Sequence, residues 1–240
     1  MPFHLSLSQS TFATAVLAST AGCIVGLKPP NPSPPNHVGL PPSSTLSRLR
    51  HFITEGNLND LILAPITFLS LHTVGLALAD PPIPRWLLGV TTTHLNPRRI
   101  SWSTDTAVPL AALLCVGIPL RLVAYQTLGD SFTFKLATPK KGLVTTGIYQ
   151  YLQHPSYTGA AIIFVAPMVL WYRADGAMGC WLPERAAKVV EKIVAPVLAA
   201  VLLSLMGLRV KDEERMLRDR FGQEWEQWSQ RTARFVPWLC

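Results

Sequence analysis

Leu143–Gly159 reads LVTTGIYQYLQHPSYTG. It is polar, aromatic and turn-forming, and an apolar run long enough to enter a membrane flanks it on each side. Pro155 suits the first turn of a helix, where its missing N–H would have had no intrahelical partner. The stretch therefore reads as a polar turn carried to the mouth of a bilayer helix, with its polar groups placed there for a purpose.

Composition supports the bilayer. Of 240 residues, 49% are hydrophobic and only 15% charged, with a mean hydropathy of +0.28. Soluble domains average about 25% charged residues. The net charge of +7 would suit a nucleic-acid binder, but the basic residues form no stripe interleaved with aromatics. They gather in loops and in the C-terminal tail, as the positive-inside rule distributes them. No nucleic-acid partner is expected. Cys23, Cys115, Cys180 and Cys240 lie far apart without C-x-x-C spacing, so neither a zinc site nor a disulfide framework is expected.

Five apolar runs read as membrane spans: Thr11–Leu27, Leu58–Ala79, Ala107–Leu128, Tyr157–Tyr172 and Val189–Leu208. A span takes about 20 residues, so the first and fourth are short. A cleaved signal peptide is the alternative for the first, weakened by the lack of Lys and Arg ahead of it. Residues 28–42 are proline-rich and read as an extended linker. Pro65 interrupts the second span, and its His72 reads as a packed histidine. Arg121 in the third is expensive at bilayer depth unless it snorkels or faces a polar cavity; the sequence favours neither. Trp86 and Trp102 suit a membrane interface.

The fold class is thus all-α: a polytopic membrane protein of about five transmembrane helices, closed by a charged amphipathic helix over Arg209–Arg234. Residues 1–105 are expected to form an N-terminal membrane region and residues 106–240 a second one. With the tail in the cytosol, that side carries thirteen Lys and Arg against six on the other, so the His-Pro loop and the charged helix share one face.

Arg209 and Glu213 lie four apart on one face of that helix, with Glu214 about 100° round. Spacing alone favours an ordinary surface ion pair, and His154 alone is equally weak. The order of motifs says more. Gly129 and Phe132 come first, then Leu143-Val144-Thr145-Thr146-Gly147-Ile148-Tyr149, then His154-Pro155-Ser156-Tyr157 and Gly159. After one hydrophobic hairpin follow Arg209-x-x-x-Glu213-Glu214, Phe221-Gly222-x-Glu224-Trp225, Trp228, Arg231, Phe235 and Pro237. From about Gly117 to Pro237 this resembles the isoprenylcysteine carboxyl methyltransferases, membrane enzymes that methylate prenylated C-terminal cysteines with S-adenosylmethionine.

The resemblance implies a cofactor between the His-Pro loop and the charged helix. Leu143 and Val144 would offer backbone groups, with Gly142 at the edge. Tyr149, His154, Pro155, Ser156 and Tyr157 would line the pocket, and Glu213 would meet the cofactor's amino-acid end. Arg209 and Glu214 would be the catalytic pair, with Arg209 facing a lipid-like prenylated acceptor. The family setting implies the endoplasmic reticulum membrane, with membrane lipids as neighbours and the site towards the cytosol. One position departs: Gln153 stands where the family usually has Arg before His-Pro, and an amide offers a carboxylate less than a guanidinium does. A small terpenoid acceptor is then an alternative, as is a phospholipid or amine methyltransferase. An NADPH-dependent sterol-type reductase is the rival from another class.

Overall fold

The computed structural model describes residues 6–28, 30–31, 57–79, 82–89, 95–129, 132 and 142–236. Most of the proline-rich linker, together with Lys135, Lys140 and Lys141, lies outside them. Among the described residues the chain is helical, and β pairing is confined to single-residue bridges, one of which joins Leu152 to Ala233 in parallel.

Helix α1 (Leu7–Leu27) starts four residues ahead of the expected span because Ser6 and Gln9 form a capping box. Ser6 Oγ accepts from Gln9 N at 3.1 Å, and Gln9 Oε1 accepts from Ser6 N at 3.0 Å. That satisfies orphan donors at the helix start and brings α1 to 21 residues, a full span's length. It packs against α2 (Asn57–Ala79), and Gln9 Nε2 donates to Ala77 O at 3.0 Å.

The third run is a rod in three parts. Helix α3 (Thr104–Ala111) passes through a wider π-helical segment (Ala112–Gly117) into α4 (Ile118–Leu128). The wide turns lie between Pro109 and Pro119, neither of which has an N–H to donate to a regular ladder. Helix α5 (Pro155–Trp171) has 17 residues. Helix α6 (Glu184–Val189) likewise continues through a π segment (Val190–Val194) into α7 (Ala195–Phe221). Four of these units are long and apolar enough to cross a membrane, and α5 is shorter.

The charged tail differs from expectation. It is not one amphipathic helix over Arg209–Arg234. The rod Glu184–Phe221 runs unbroken for 38 residues, roughly 57 Å at 1.5 Å per residue, so its charged end projects well beyond a hydrocarbon core of about 30 Å. Gly222, at φ 51°, then turns the chain into α8 (Gln223–Ser229). Beyond α8, residues 230–236 run back across the His-Pro turn instead of continuing as helix.

Small residues let the helices approach closely. A Cβ on Gly159 would stand 2.7 Å from Gly117 O and 2.9 Å from Arg121 N, and one on Gly22 would overlap Ile118. The core between the helices is filled by Phe12, Val16, Leu76, Leu113 and Ile163, all fully or almost fully buried. At the end of the bundle away from the His-Pro turn, Asp175 holds Arg99 Nε at 3.2 Å and Asn96 Nδ2 at 3.0 Å, and Arg173 reaches Glu191 at 3.3 Å.

Candidate functional site

The first turn of α5 carries the polar residues to the end of the bundle. His154 occupies the N-cap position and makes no side-chain cap, which leaves its ring for another partner. That ring is 4% exposed, and its Nε2 lies 3.0 Å from Glu214 Oε1. Glu214 also accepts from Arg234 in a fork, Nε to Oε1 and Nη2 to Oε2, both at 2.8 Å. Such bidentate, charge-assisted pairs are among the strongest hydrogen bonds in proteins.

A second contact lies one residue earlier on α7. Tyr157 donates its hydroxyl to Glu213 Oε2 at 2.8 Å and also hydrogen-bonds with Arg209. Arg209 and Glu213 therefore meet around a tyrosine of α5 and do not stand alone on a solvated face. Tyr149 is buried. Burial, and then the nearby Glu213 carboxylate, push its phenol well above the ordinary range, so it remains a neutral hydroxyl. The imidazole of His154 stands edge-on to Tyr157, with centroids 5.7 Å apart, and Phe235 lies 5.8 Å away on another side.

The tail is held to this turn mainly by backbone. Gln153 N donates to Ala233 O at 2.8 Å, His154 N to Arg234 O at 3.1 Å, and Ala233 N to Tyr151 O at 3.0 Å. Thr158 Oγ1 donates to Phe235 O at 2.7 Å, and Trp228 Nε1 to Tyr149 O at 2.8 Å. The side-chain amide of Gln153 joins them, its Nε2 donating to Ser229 O and Thr232 O, both at 2.9 Å. Gln153 is thus engaged with the tail.

Ser156, 5% exposed, is bonded by Arg121. The buried Arg121 guanidinium donates to the Ser156 carbonyl at 3.1 Å and to its hydroxyl, and its Nε donates to Gly26 O at 3.0 Å. It does not snorkel; it ties the end of α1 to the first turn of α5. Gly142, Leu143 and Val144 form an extended, half-buried approach to the turn, and Gly142 adopts φ 96°, a conformation that favours glycine.

Of the residues singled out in the sequence, the fold brings Tyr149, His154, Tyr157, Arg209, Glu213 and Glu214 into one junction. Pro155 opens the helix, and Ser156 is bonded by Arg121. Arg234 is the member that sequence reasoning missed. Its one signal is its place beside Phe235 in the motif-bearing tail.

The class defined by these elements is a polytopic helical membrane protein with a polar, carboxylate-bearing junction at one end of its bundle. Residues 110–219 match the sequence model of the Isoprenylcysteine carboxyl methyltransferase (ICMT) family. That stretch takes in the His-Pro turn, all of α5 and the Arg209–Glu214 segment, and stops short of Arg234. Among similar proteins, Protein-S-isoprenylcysteine O-methyltransferase B of Arabidopsis thaliana is 28% identical over 130 residues, 53% of this chain and 57% of its own. The Protein-S-isoprenylcysteine O-methyltransferase of Schizosaccharomyces pombe is 30% identical over 128 residues, covering 52% of this chain and 46% of its own. That of Dictyostelium discoideum is 40% identical over 63 residues, a quarter of each chain (25% and 27%). The chain spans about half the length of the curated relatives it matches.

Proposed function

We propose that this chain is an S-adenosylmethionine-dependent carboxyl O-methyltransferase that acts on a prenylated, isoprenylcysteine-type acceptor. The observation that carries the reading is the meeting of Glu213 and Glu214 on α7 with Tyr157 and His154 on α5. Two segments some sixty residues apart build one polar junction where a helix begins.

The residues present fit that donor. Glu213 is a half-buried carboxylate held by a neutral hydroxyl, a setting that suits an ammonium group. The rings of Tyr149, Tyr157, His154 and Phe235 suit a purine and a cationic sulfur. When bound, S-adenosylmethionine supplies an electrophilic methyl group on that sulfur.

The chain's own task is placement. Glu213 and Tyr157 orient the donor's amino-acid end. Arg209, beside the same hydroxyl, attracts the acceptor's carboxylate, which is ionised near neutral pH and needs no strong base. Attack of a carboxylate on a sulfonium methyl neutralises two opposite charges, so a low-dielectric junction favours the charge-dispersed transition state over the solvated ions. Alignment of the two reactants can contribute roughly 7–11 kcal/mol. Glu214, fixed by Arg234, holds the His154 ring and so keeps the wall of the site in register.

The short α5 helps a lipid acceptor. Its 17 residues rise roughly 26 Å, less than the ~30 Å hydrocarbon core, so at least one of its ends lies at apolar depth. A prenyl tail gains about 0.8 kcal/mol per buried CH₂ there. The positive-inside bias favours a cytosolic site, and the resemblance favours the endoplasmic reticulum.

The test uses purified full-length chain. Titration with S-adenosylmethionine should saturate and titration with NADPH should not; the reverse result overturns the reading in favour of a reductase. With radiolabelled donor and a farnesylcysteine analogue, base treatment should release labelled methanol. A base-stable product would mark an amine acceptor. Glu213→Ala should abolish donor binding, and Arg209→Ala should raise the acceptor KM while leaving donor binding in place.

A further inference from the structure

A second feature lies between the charged end of α7 and α8, beside the junction described above and sharing Glu214 with it. It is a cleft of about 200 Å³ lined by Lys211, Glu214, Arg215, Arg218 and Trp225. Lys211, Arg215 and Arg218 stand at i, i+4 and i+7, so they share one face of α7. None of the three has a carboxylate partner among the described residues. Glu214, the one carboxylate in the lining, has both oxygens taken by His154 and Arg234. Its charge is already engaged by the Arg234 guanidinium.

Trp225 supplies an independent observation. It is 5% exposed, Arg218 lies over its ring at 4.8 Å, and its buried Nε1–H has no acceptor among the described residues. A buried donor left unpaired costs free energy comparable to a lost hydrogen bond. Three uncompensated cations and an unused N–H around one cleft call for a ligand rich in anionic acceptor oxygens. Phosphate fits, because guanidinium groups bind it through paired N–H donors.

Depth along α7 says where that phosphate comes from. The last apolar run ends at Leu208. Along the helix Lys211 rises about 4–5 Å past it, Arg215 about 10 Å and Arg218 about 15 Å. The headgroup layer beyond the hydrocarbon is roughly 5–8 Å deep on each side, and long basic side chains snorkel back into it. We propose that this cleft binds the phosphate headgroup of an anionic membrane lipid, holding the charged end of α7 and α8 against the bilayer surface.

The experiment reconstitutes the full chain into nanodiscs of phosphatidylcholine with a minority of phosphatidic acid, and reads co-retained lipid by native mass spectrometry. Wild type should retain phosphatidic acid preferentially. The triple variant Lys211→Gln/Arg215→Gln/Arg218→Gln should lose that preference by roughly tenfold or more, as loss of even one charge-assisted bond implies. Trp225→Phe, which keeps a ring under Arg218 but removes the donor, should lose it severalfold while helical content stays unchanged. The control Arg85→Gln/Arg98→Gln/Arg185→Gln removes equal charge from the exposed residues of other loops and helix starts, and should retain the preference. Equal loss in the control would reduce the effect to bulk electrostatics and overturn the proposal. Displacement of the retained lipid by matched glycerol 3-phosphate would also overturn it, by assigning the cleft to a soluble phosphate ester. Absence of any preference in wild type would do the same.

Discussion

Replacing Gln153 by Ala isolates how much of the tail's docking rests on one side chain. The amide Nε2 donates to the carbonyls of Ser229 and Thr232, both at 2.9 Å. Each neutral hydrogen bond is worth a net ~0.5–1.5 kcal/mol, so their joint removal costs the closed tail about 1–3 kcal/mol. Water reaching a half-buried position offsets part of this. The backbone pairs of residues 151–154 with 233–234 stay in place, so the chain remains folded and the tail opens more often. That free energy corresponds to roughly 5- to 150-fold faster local opening. Hydrogen exchange read at the Ala233 and His154 amides, both donors in those pairs, should accelerate by that factor, while amides in the middle of α5 do not change. Gln153→Arg keeps donors within reach of the same carbonyls and should leave exchange close to wild type. Protection at Ala233 within twofold of wild type in Gln153→Ala would refute the reasoning, because the tail would then be held without that amide.

Three other perturbations have definite expectations. Gly159→Ala places a Cβ 2.7 Å from Gly117 O and 2.9 Å from Arg121 N; both are backbone atoms, so α4 and α5 must part, at about 1–3 kcal/mol. An unchanged thermal midpoint in detergent would contradict this. Arg121→Met removes the guanidinium bonds to the Gly26 and Ser156 carbonyls, leaving Gly26 with Tyr125 alone, and relief of guanidinium desolvation offsets only part of the loss. It should lower the thermal midpoint, and Arg121→Lys should restore some of it with a single donor group; a Met variant as stable as wild type would remove the clamp from the account. Burial pushes the Asp175 carboxyl up, but the Asn96 amide and the Arg99 and Arg173 guanidiniums pull it further down, leaving it below its ordinary range. A depressed carboxyl gives stability that is complete above its unfolded value and is lost as pH falls through the folded one. The thermal midpoint should therefore drop more for wild type than for Asp175→Asn on going from about pH 6 to about pH 3. At neutral pH the Asn variant should cost about 1 kcal/mol, discounted for partial exposure. Parallel acid sensitivity in both chains would place the dependence elsewhere.

The five apolar runs were legible because hydropathy over some twenty residues is a strong signal, and most boundaries follow local chemistry that the sequence spells out. Ser6 and Gln9 carry the capping box that lengthens α1, and Phe221-Gly222 marks the turn that ends α7. The shared face of the His-Pro turn and the charged helix followed from topology and charge bias alone. The return path of residues 230–236 was not legible, for a physical reason. It is fixed largely by main-chain pairing of Tyr151, Gln153 and His154 with Ala233 and Arg234, and main-chain groups are the same in every residue. Arg234 therefore reached Glu214 without a pattern to announce it. Gln153 shows the same limit: its amide donates to two carbonyls of the tail, main-chain groups that no motif position announces.

Arg121 shows where sequence reasoning stops and geometry takes over. A guanidinium in an apolar run must find acceptors or reach water, and the sequence leaves both routes open. The structure supplies the acceptors from the end of another helix. Helix α1 stops at Leu27, and the last four carbonyls of any helix lack intrahelical partners. One of these belongs to Gly26, where a Cβ would press on the end of the Ile163 side chain at 2.9 Å. Arg121 and Tyr125 both donate to that carbonyl, and a cation at a helix C-terminus is favoured by the macrodipole as well. The same guanidinium then reaches Ser156 in the first turn of α5. A helix outside the family-matched residues is in this way joined, through one buried cation, to the turn that carries His154 and Tyr157. The cost of burying Arg121 is offset by the Gly26 carbonyl that the end of α1 leaves without an intrahelical partner and by the Ser156 carbonyl and hydroxyl, which is why its side chain turns inward.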